Sequence, residues 1–212
     1  MKIFDPEGPV MEALGKLADL MFCNVMFVVF SIPVFTIGAA LTALFDCTLS
    51  LTEDRGDQFI IRQFWNAFRK NFKQATLIWL LCLAVIGFLV AYGFVVNSLT
   101  GPLTRVYRVT FFVLAFLFLA GFQYIFPLQA RYQMGVKAIL KNAWLLCLAA
   151  LPWTLCALAL AAAAVYLSFF MNPNAVNIMF FLWLAVIIAL IAFLNSFFYR
   201  RAFRKLPAAE DS

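Results

Sequence analysis

The chain has 212 residues, of which 66% are hydrophobic and 12% are charged. An average soluble domain is about 45–50% apolar and about 25% charged, so the chain lacks the polar groups that cover a soluble surface. It is equally far from a disordered chain, which is poor in apolar residues. The composition therefore predicts an integral membrane protein, an all-α polytopic bundle of transmembrane helices.

The composition also limits the chemistry that the chain can perform. It contains no histidine, and its five cysteines form no CxxC pair or metal-ligand spacing. No phosphate loop, HExxH, GxSxG or paired-carboxylate pattern occurs. The net charge of +6 comes from basic residues that flank apolar segments, a placement typical of membrane topology. We therefore expect that the chain is not an enzyme and that it binds no cofactor, no metal and no nucleic acid.

The first apolar segment allows two interpretations. The first nineteen residues carry four acidic residues and no basic region, which does not fit a cleavable signal peptide. Residues 20–45 then contain no charge. They form either one helix kinked at Pro33, which gives five spans in the chain, or a hairpin with legs at 11–32 and 37–51, which gives six. Proline disfavours helix at the residue before it, and Thr36 is a plausible N-cap for the second leg.

The segment 57–74 has the pattern of an amphipathic helix. Its aromatic residues recur at helical spacing, with the basic residues largely on the other side. This pattern predicts a helix in the headgroup plane, attracted to anionic lipid, that serves either as a connector or as a docking face for a cytoplasmic protein. The residues of this candidate interfacial or partner face are Arg62, Phe64, Trp65, Phe68, Arg69, Lys70, Phe72 and Lys73.

Four further spans follow from the uncharged stretches. We place them at 75–96, 106–129, 143–170 and 176–199, because the uncharged stretch 142–199 is too long for one helix and contains a turn signal at 172–174. Pro127 and Pro152 should kink their spans. Residues 1–206 are predicted to form a single transmembrane domain, followed by a flexible tail at 207–212.

The distribution of lysine and arginine favours six spans. With six spans and both termini inside, 14 basic residues lie in the cytoplasm and 2 outside; with five spans the numbers are 12 and 4. The positive-inside rule prefers the first arrangement, although the second leg is short and could be partly re-entrant. We expect a multi-pass membrane protein with a cytoplasmic C-terminus and a cytoplasmic N-terminus.

Polar residues at membrane depth are the default functional candidates. Asp46, near the end of the short second leg, is the one carboxylate that could lie at this depth, and an interfacial position in contact with water is the favoured interpretation. The amides Asn24, Gln123, Gln129 and Asn195 are expected to bridge helices. The candidate structural or functional motif is Pro33, Thr36, Gly38 and Asp46.

Two stretches resemble the YesL-like family of bacterial membrane proteins. They are SIPVFTIGAALTAL at 31–44 and FWNAFRKNFKQATLIWLL at 64–81, with Pro33-x-x-Thr36-x-Gly38 as a specific part. Ala39 stands where many members have proline, and Asp46 lies outside the pattern. The resemblance implies a multi-pass protein of the bacterial plasma membrane with unknown biochemical activity, whose gene often lies beside carbohydrate uptake transporters and polysaccharide-degrading enzymes.

Two function classes follow. In the first, the chain is a non-catalytic membrane protein accessory to carbohydrate uptake or polysaccharide utilisation, which contacts the lipid bilayer and a transporter permease or a second copy of itself. In the second, it is a small transporter that carries a solute itself. The scarcity of charge at membrane depth favours the first class.

Overall fold

The computed structural model describes residues 9–53, 59–101, 103–169 and 176–205, and these residues are almost entirely helical. Six helical segments are long and apolar enough to cross a membrane, which confirms the predicted helical membrane bundle. The predicted turn at 172–174 and the tail at 207–212 lie outside the described residues. The helices are α1 Pro9–Phe30, α2 Ile37–Thr52, α3 Ile60–Ser98, α4 Thr104–Arg131, α5 Val136–Ala149, α6 Leu151–Phe169, α7 Val176–Leu182 and α8 Ile188–Phe203.

The first apolar segment forms a hairpin, as the six-span interpretation requires. The legs α1 and α2 are joined by a short 3₁₀ turn at Val34–Thr36. The return leg α2 is the most buried of the candidate spans and packs against α1, α3, α4 and α8. It can lie at the centre because small residues are spread around its circumference and let neighbouring backbones approach closely. These residues include Gly38, Ala39, Ala40 and Ala43.

The predicted interfacial helix is not a separate element. Its described residues, from Ile60 onward, form the first part of α3, which continues unbroken for 39 residues to Ser98. At 1.5 Å per residue this helix is about 58 Å long, well beyond the roughly 30 Å of a hydrocarbon core. A separate helix is not needed because Phe64 and Phe68 near its start pack inside the protein instead of entering lipid.

The predicted span 143–170 is not one continuous helix in the structure. Helix α5 ends at Ala149 and α6 begins at Leu151, so Pro152 lies in the first turn of a new helix, where its missing N–H removes no helical hydrogen bond. Thr154 secures the break, because its hydroxyl lies 3.1 Å from the Ala150 carbonyl and 2.9 Å from the Tyr124 hydroxyl. Pro127, in contrast, is accommodated within α4.

The last span runs from α7 to α8 through a π-helical turn at Trp183–Ile187. Asn24 of α1 is fully buried against this turn. Its Nδ2 donates to the carbonyls of Trp183 at 3.0 Å and Leu184 at 2.7 Å, and its Oδ1 accepts from the Ala189 backbone N–H at 2.8 Å. A π-helical turn disturbs the regular pattern of backbone bonds, and one asparagine side chain provides substitute partners. The expected helix-bridging role of Asn24 is thus seen in the structure.

The hairpin tip defines two regions of the bundle. Trp79 Nε1 of α3 donates to the Val34 carbonyl at the tip at 2.7 Å. Beyond Trp79, α3 continues for about 28 Å to Ser98 and packs mainly against the first half of α4. We call the part of the bundle around α2 the inner region. The outer region comprises α3 beyond Trp79 and the first half of α4.

Candidate functional site

Polar side chains lie together at the end of the bundle where α2 ends and α3 begins, which we call the polar end. Asp46 lies on α2 and is half-buried. Gln63 of α3 donates from Nε2 to Asp46 Oδ2 at 2.9 Å and to Ser50 Oγ at 2.8 Å. The carboxylate is therefore tied to a second helix and is not simply a surface group.

A cavity of about 290 Å³ opens beside this link. Asp46 of the candidate motif and Lys70 of the candidate partner face both line it. Gln129 of α4 also lines it and is only 3% exposed, and among the described residues neither of its amide atoms has a hydrogen-bond partner. The remaining polar residues of the wall are Gln63, Asn66, Asn71, Arg131 and Gln133.

A cluster of ion pairs lies beside the cavity. Glu53 follows the last residue of α2 and pairs with Arg131 at the end of α4, and its Oε1 also lies 3.4 Å from Arg200 Nε of α8. Arg200 additionally donates to the Thr52 carbonyl. The cluster joins the ends of three helices, and a neighbouring cavity of about 380 Å³ runs between it and Asp46.

The other members of the candidate motif lie at and behind the hairpin tip, away from the cavity. Pro33 is exposed at the tip. The Thr36 hydroxyl donates to the carbonyls of Phe30 and Pro33, each at 2.6 Å, so it closes the end of α1 and makes no side-chain cap on α2. Gly38 lies inside α2 where that helix touches α3, and a Cβ there would stand 2.5 Å from Trp79 Cβ and 2.6 Å from the Ala75 carbonyl oxygen. Thr36 therefore occupies the predicted N-cap position of α2 without a side-chain capping bond, and Gly38 serves close helix packing.

The candidate partner face is divided between the interior and the surface. Phe64 is fully buried, and Phe68 is buried beside Phe30 with their ring centroids 4.8 Å apart. Phe72 is half-buried. The surface that remains, which we call the basic surface, consists of Arg62, Trp65, Arg69, Lys70 and Lys73. Part of it borders a shallow groove of about 550 Å³.

Several residues of the polar end could not be identified from the sequence. Gln63 and Glu53 have no distinctive spacing, and their roles depend on contacts with helices that are remote along the chain. Gln129 was expected to bridge helices, whereas its amide lies at the cavity without a partner among the described residues. The useful signal is its position as one of two amides, with Gln123, in a largely apolar span.

The described residues contain no group of three or more histidine, cysteine, aspartate or glutamate side chains that could hold a metal ion. Asp46 and Glu53 are held by separate partners, an amide and two arginines respectively. What the polar end offers is a set of hydrogen-bond donors and acceptors beside an open cavity. Such a set suits binding.

Comparison with known proteins agrees with the sequence motifs. Residues 20–94 match a family described as "Protein of unknown function, DUF624". The chain is also 25% identical over 156 residues to "Uncharacterized protein YteU" of Bacillus subtilis (strain 168), a match that covers 74% of this chain and 70% of the relative. No solved structure matches the chain. The family match and the relative fit membership of the DUF624/YesL-like family, and they confirm the resemblance that the sequence motifs indicated.

Proposed function

We propose that the chain is a non-catalytic membrane protein accessory to bacterial carbohydrate uptake, and that it binds the permease of such a system through its basic surface. The carbohydrate link comes from the family resemblance. The contact comes from one structural observation, an exposed row of cationic side chains beside Trp65 on the first turns of α3.

The basic surface has the composition of a protein-binding site. Tryptophan and arginine are the residues that most often dominate binding energy at interfaces. Trp65 is 44% exposed and stacks on Phe68 with ring centroids 6.0 Å apart, while Arg62 and Arg69 are exposed nearby. Because Phe64 and Phe68 fix the helix from behind, the surface is preorganised, which lowers the entropy cost of binding.

Charge reversal tests this proposal. Arg62→Glu combined with Arg69→Glu inverts the basic surface and leaves the buried aromatic face intact. We expect the permease to be lost from a mild-detergent pulldown in the native bacterium, with the variant present at normal abundance. Lys137→Glu with Lys141→Glu is the matched control, because these two lysines are also exposed but lie on α5. Retention of the permease by the first variant, or its loss from both, contradicts the proposal.

The proposal also places the polar end in the cytoplasm, following the 14 to 2 distribution of basic residues. Single-cysteine labelling on a cysteine-free background tests this orientation. Cysteine at position 133, which is exposed beside the polar end, should react only after the cells are opened. Cysteine at position 98, at the far end of α3, should react in intact cells. The reverse pattern contradicts the orientation.

The cavity beside Asp46 favours one second candidate, a small transporter. A carrier needs polar groups along its substrate path, and this cavity supplies a carboxylate, a lysine and several amides. Against this candidate, the space behind the cavity is filled by the Gly38–Trp79 contact and by Phe126. Saturable sugar flux in liposomes that contain only the purified chain would replace the accessory proposal with this one.

A further inference from the structure

The structure points to a second binding site, in the cavity at Asp46. We propose that this cavity binds a small, neutral solute that carries several hydroxyl groups. The site goes beyond the proposed function. The two share Lys70, but Arg62 and Arg69, at which the proposed function is tested, do not line the cavity.

Gln129 provides the first reason. A buried amide without a partner is costly, since it has given up its hydrogen bonds to water and gained none in exchange. Only 3% of Gln129 is exposed, and both its Nε2 and Oε1 are without partners among the described residues. Because both atoms are buried, the side chain must rotate toward the cavity that it lines before a bound molecule can accept from Nε2 and donate to Oε1, and a hydroxyl group can do either.

The wall provides the second reason. Asp46 and Lys70 contribute opposite charges, and Glu53 is shared by Arg131 and Arg200, which leaves an excess of one positive charge beside the cavity. The site therefore has only a small net charge with which to favour an anion. The rest of the polar wall consists of amides, which present donors and acceptors in equal measure. Such a wall matches a ligand that is itself neutral and both donates and accepts.

Size provides the third reason. Ligand pockets commonly range from about 300 to 1,000 Å³, and this cavity, at about 290 Å³, lies at the lower limit. A peptide or a lipid chain would not be enclosed by it. A monosaccharide or a cyclic polyol fits this range and carries enough hydroxyl groups to reach several amides at once.

Binding is measured on the purified full chain in detergent, by thermal melting and isothermal titration. The probes are glucose, galactose, mannitol and myo-inositol, with glycine as a zwitterion and inorganic phosphate as an anion. We expect at least one of the four neutral probes to raise the melting temperature in a concentration-dependent way, because a ligand that binds only the folded state stabilises it. No response to any of the four, or a response to glycine or phosphate alone, overturns the proposal.

Variants locate the site. Gln129→Leu should melt at or above the temperature of the unchanged protein, because an unpartnered amide is replaced by an apolar group, yet bind the probe about fivefold more weakly or worse. Asn66→Ala, at an exposed position of the wall, should also weaken binding without a change in folding. Gln123→Leu is the matched control, because that amide bonds to the Thr154 carbonyl on α6 and lies outside the cavity wall. Unchanged affinity in Gln129→Leu and Asn66→Ala overturns the proposal.

Discussion

The inner and outer regions of the bundle are both apolar enough to lie in a membrane but are packed in opposite ways. Gly38 in the inner region has no room for a single added carbon, whereas Gly87 on the outer part of α3 has open space around it. Small buried residues dominate α2, while the outer helices expose large side chains such as Phe94 and Phe112. In a membrane chain, then, hydropathy identifies the spans, and the size of the side chains identifies the contacts between them.

The difference has a physical basis. Lipid tails are as apolar as leucine, so burying a large apolar side chain between helices gains little over leaving it in lipid. Close approach of small residues gains dispersion contacts, and buried polar side chains gain hydrogen bonds across helices. Both occur in the inner region, where Thr48 and Ser196 bond across α2 and α8 at 3.2 Å. We therefore expect substitutions there to have the largest effects.

The largest effect is expected at Gly38. Gly38→Ala puts a Cβ against Trp79 and the Ala75 carbonyl, so α2 and α3 must separate, at a cost of about 3 kcal/mol, the upper part of the usual range for overpacking. Gly38→Leu should prevent assembly. Thermal melting in detergent measures both variants.

Gly87→Ala is the matched control for Gly38→Ala. Both glycines lie within helices, but a Cβ at Gly87 meets no atom within 4 Å. Alanine should leave stability unchanged or raise it by up to about 1 kcal/mol, the helix-propensity difference measured in water. Equal losses at the two positions would remove the distinction between the regions.

The next effect is expected at Asn24. Asn24→Leu removes three hydrogen bonds to the backbone around the π-helical turn, and at about 0.6 kcal/mol for each interhelical bond the loss is about 2 kcal/mol. Gln123→Leu removes one longer bond of 3.3 Å and should cost less than about 1 kcal/mol. Melting temperatures rank the two variants. A loss at Asn24 of less than about 1 kcal/mol, as small as that expected at Gln123, would show that the π-helical turn does not depend on its side-chain partner.

A smaller effect is expected at the polar end. Glu53→Gln removes the charge that pairs with Arg131 and Arg200, whose side chains are both about one-third exposed. Because solvent screens the arginines, we expect a loss of about 1 kcal/mol, which decreases as salt is added. Chemical or thermal unfolding at low and high salt measures it. A loss that does not change with salt would mean that Glu53 acts through packing alone.

These regions also show how much the sequence could predict. The spans follow from stretches of sequence without charged residues, because charged side chains are kept out of the lipid. The short hairpin turn follows from Pro33. The sequence indicated close packing at Gly38 but not its partners, Trp79 and Ala75, since helix pairing is set by three-dimensional contacts. For the same reason the sequence does not reveal that Tyr199, near the end of the last span, is buried against Tyr124 with ring centroids 5.3 Å apart.

The candidate site was less predictable than the fold. The periodicity of 57–74 correctly indicated a helix with an aromatic face, but periodicity cannot distinguish lipid from protein as the apolar environment of that face. The protein supplies it here, because Phe30 of α1 reaches Phe64 and Phe68. The cavity depends on Asp46, Lys70 and Gln129 from three helices, and no spacing along the chain relates them.

The smallest effect is expected in the outer region itself. Phe112 is 67% exposed and Phe94 is 74% exposed, so each side chain has lipid or detergent around most of its surface. Leucine is as apolar as those surroundings and is a good helix former, so Phe112→Leu and Phe94→Leu should each change stability by less than about 0.5 kcal/mol. In the inner region Phe126→Leu, at a buried ring beside Gly38, should cost about 1–2 kcal/mol through the space that it leaves. If the outer variants lost as much stability as Phe126→Leu, their side chains would have to contact protein in the folded state. The outer region would then be an interface between chains and not a lipid-facing surface.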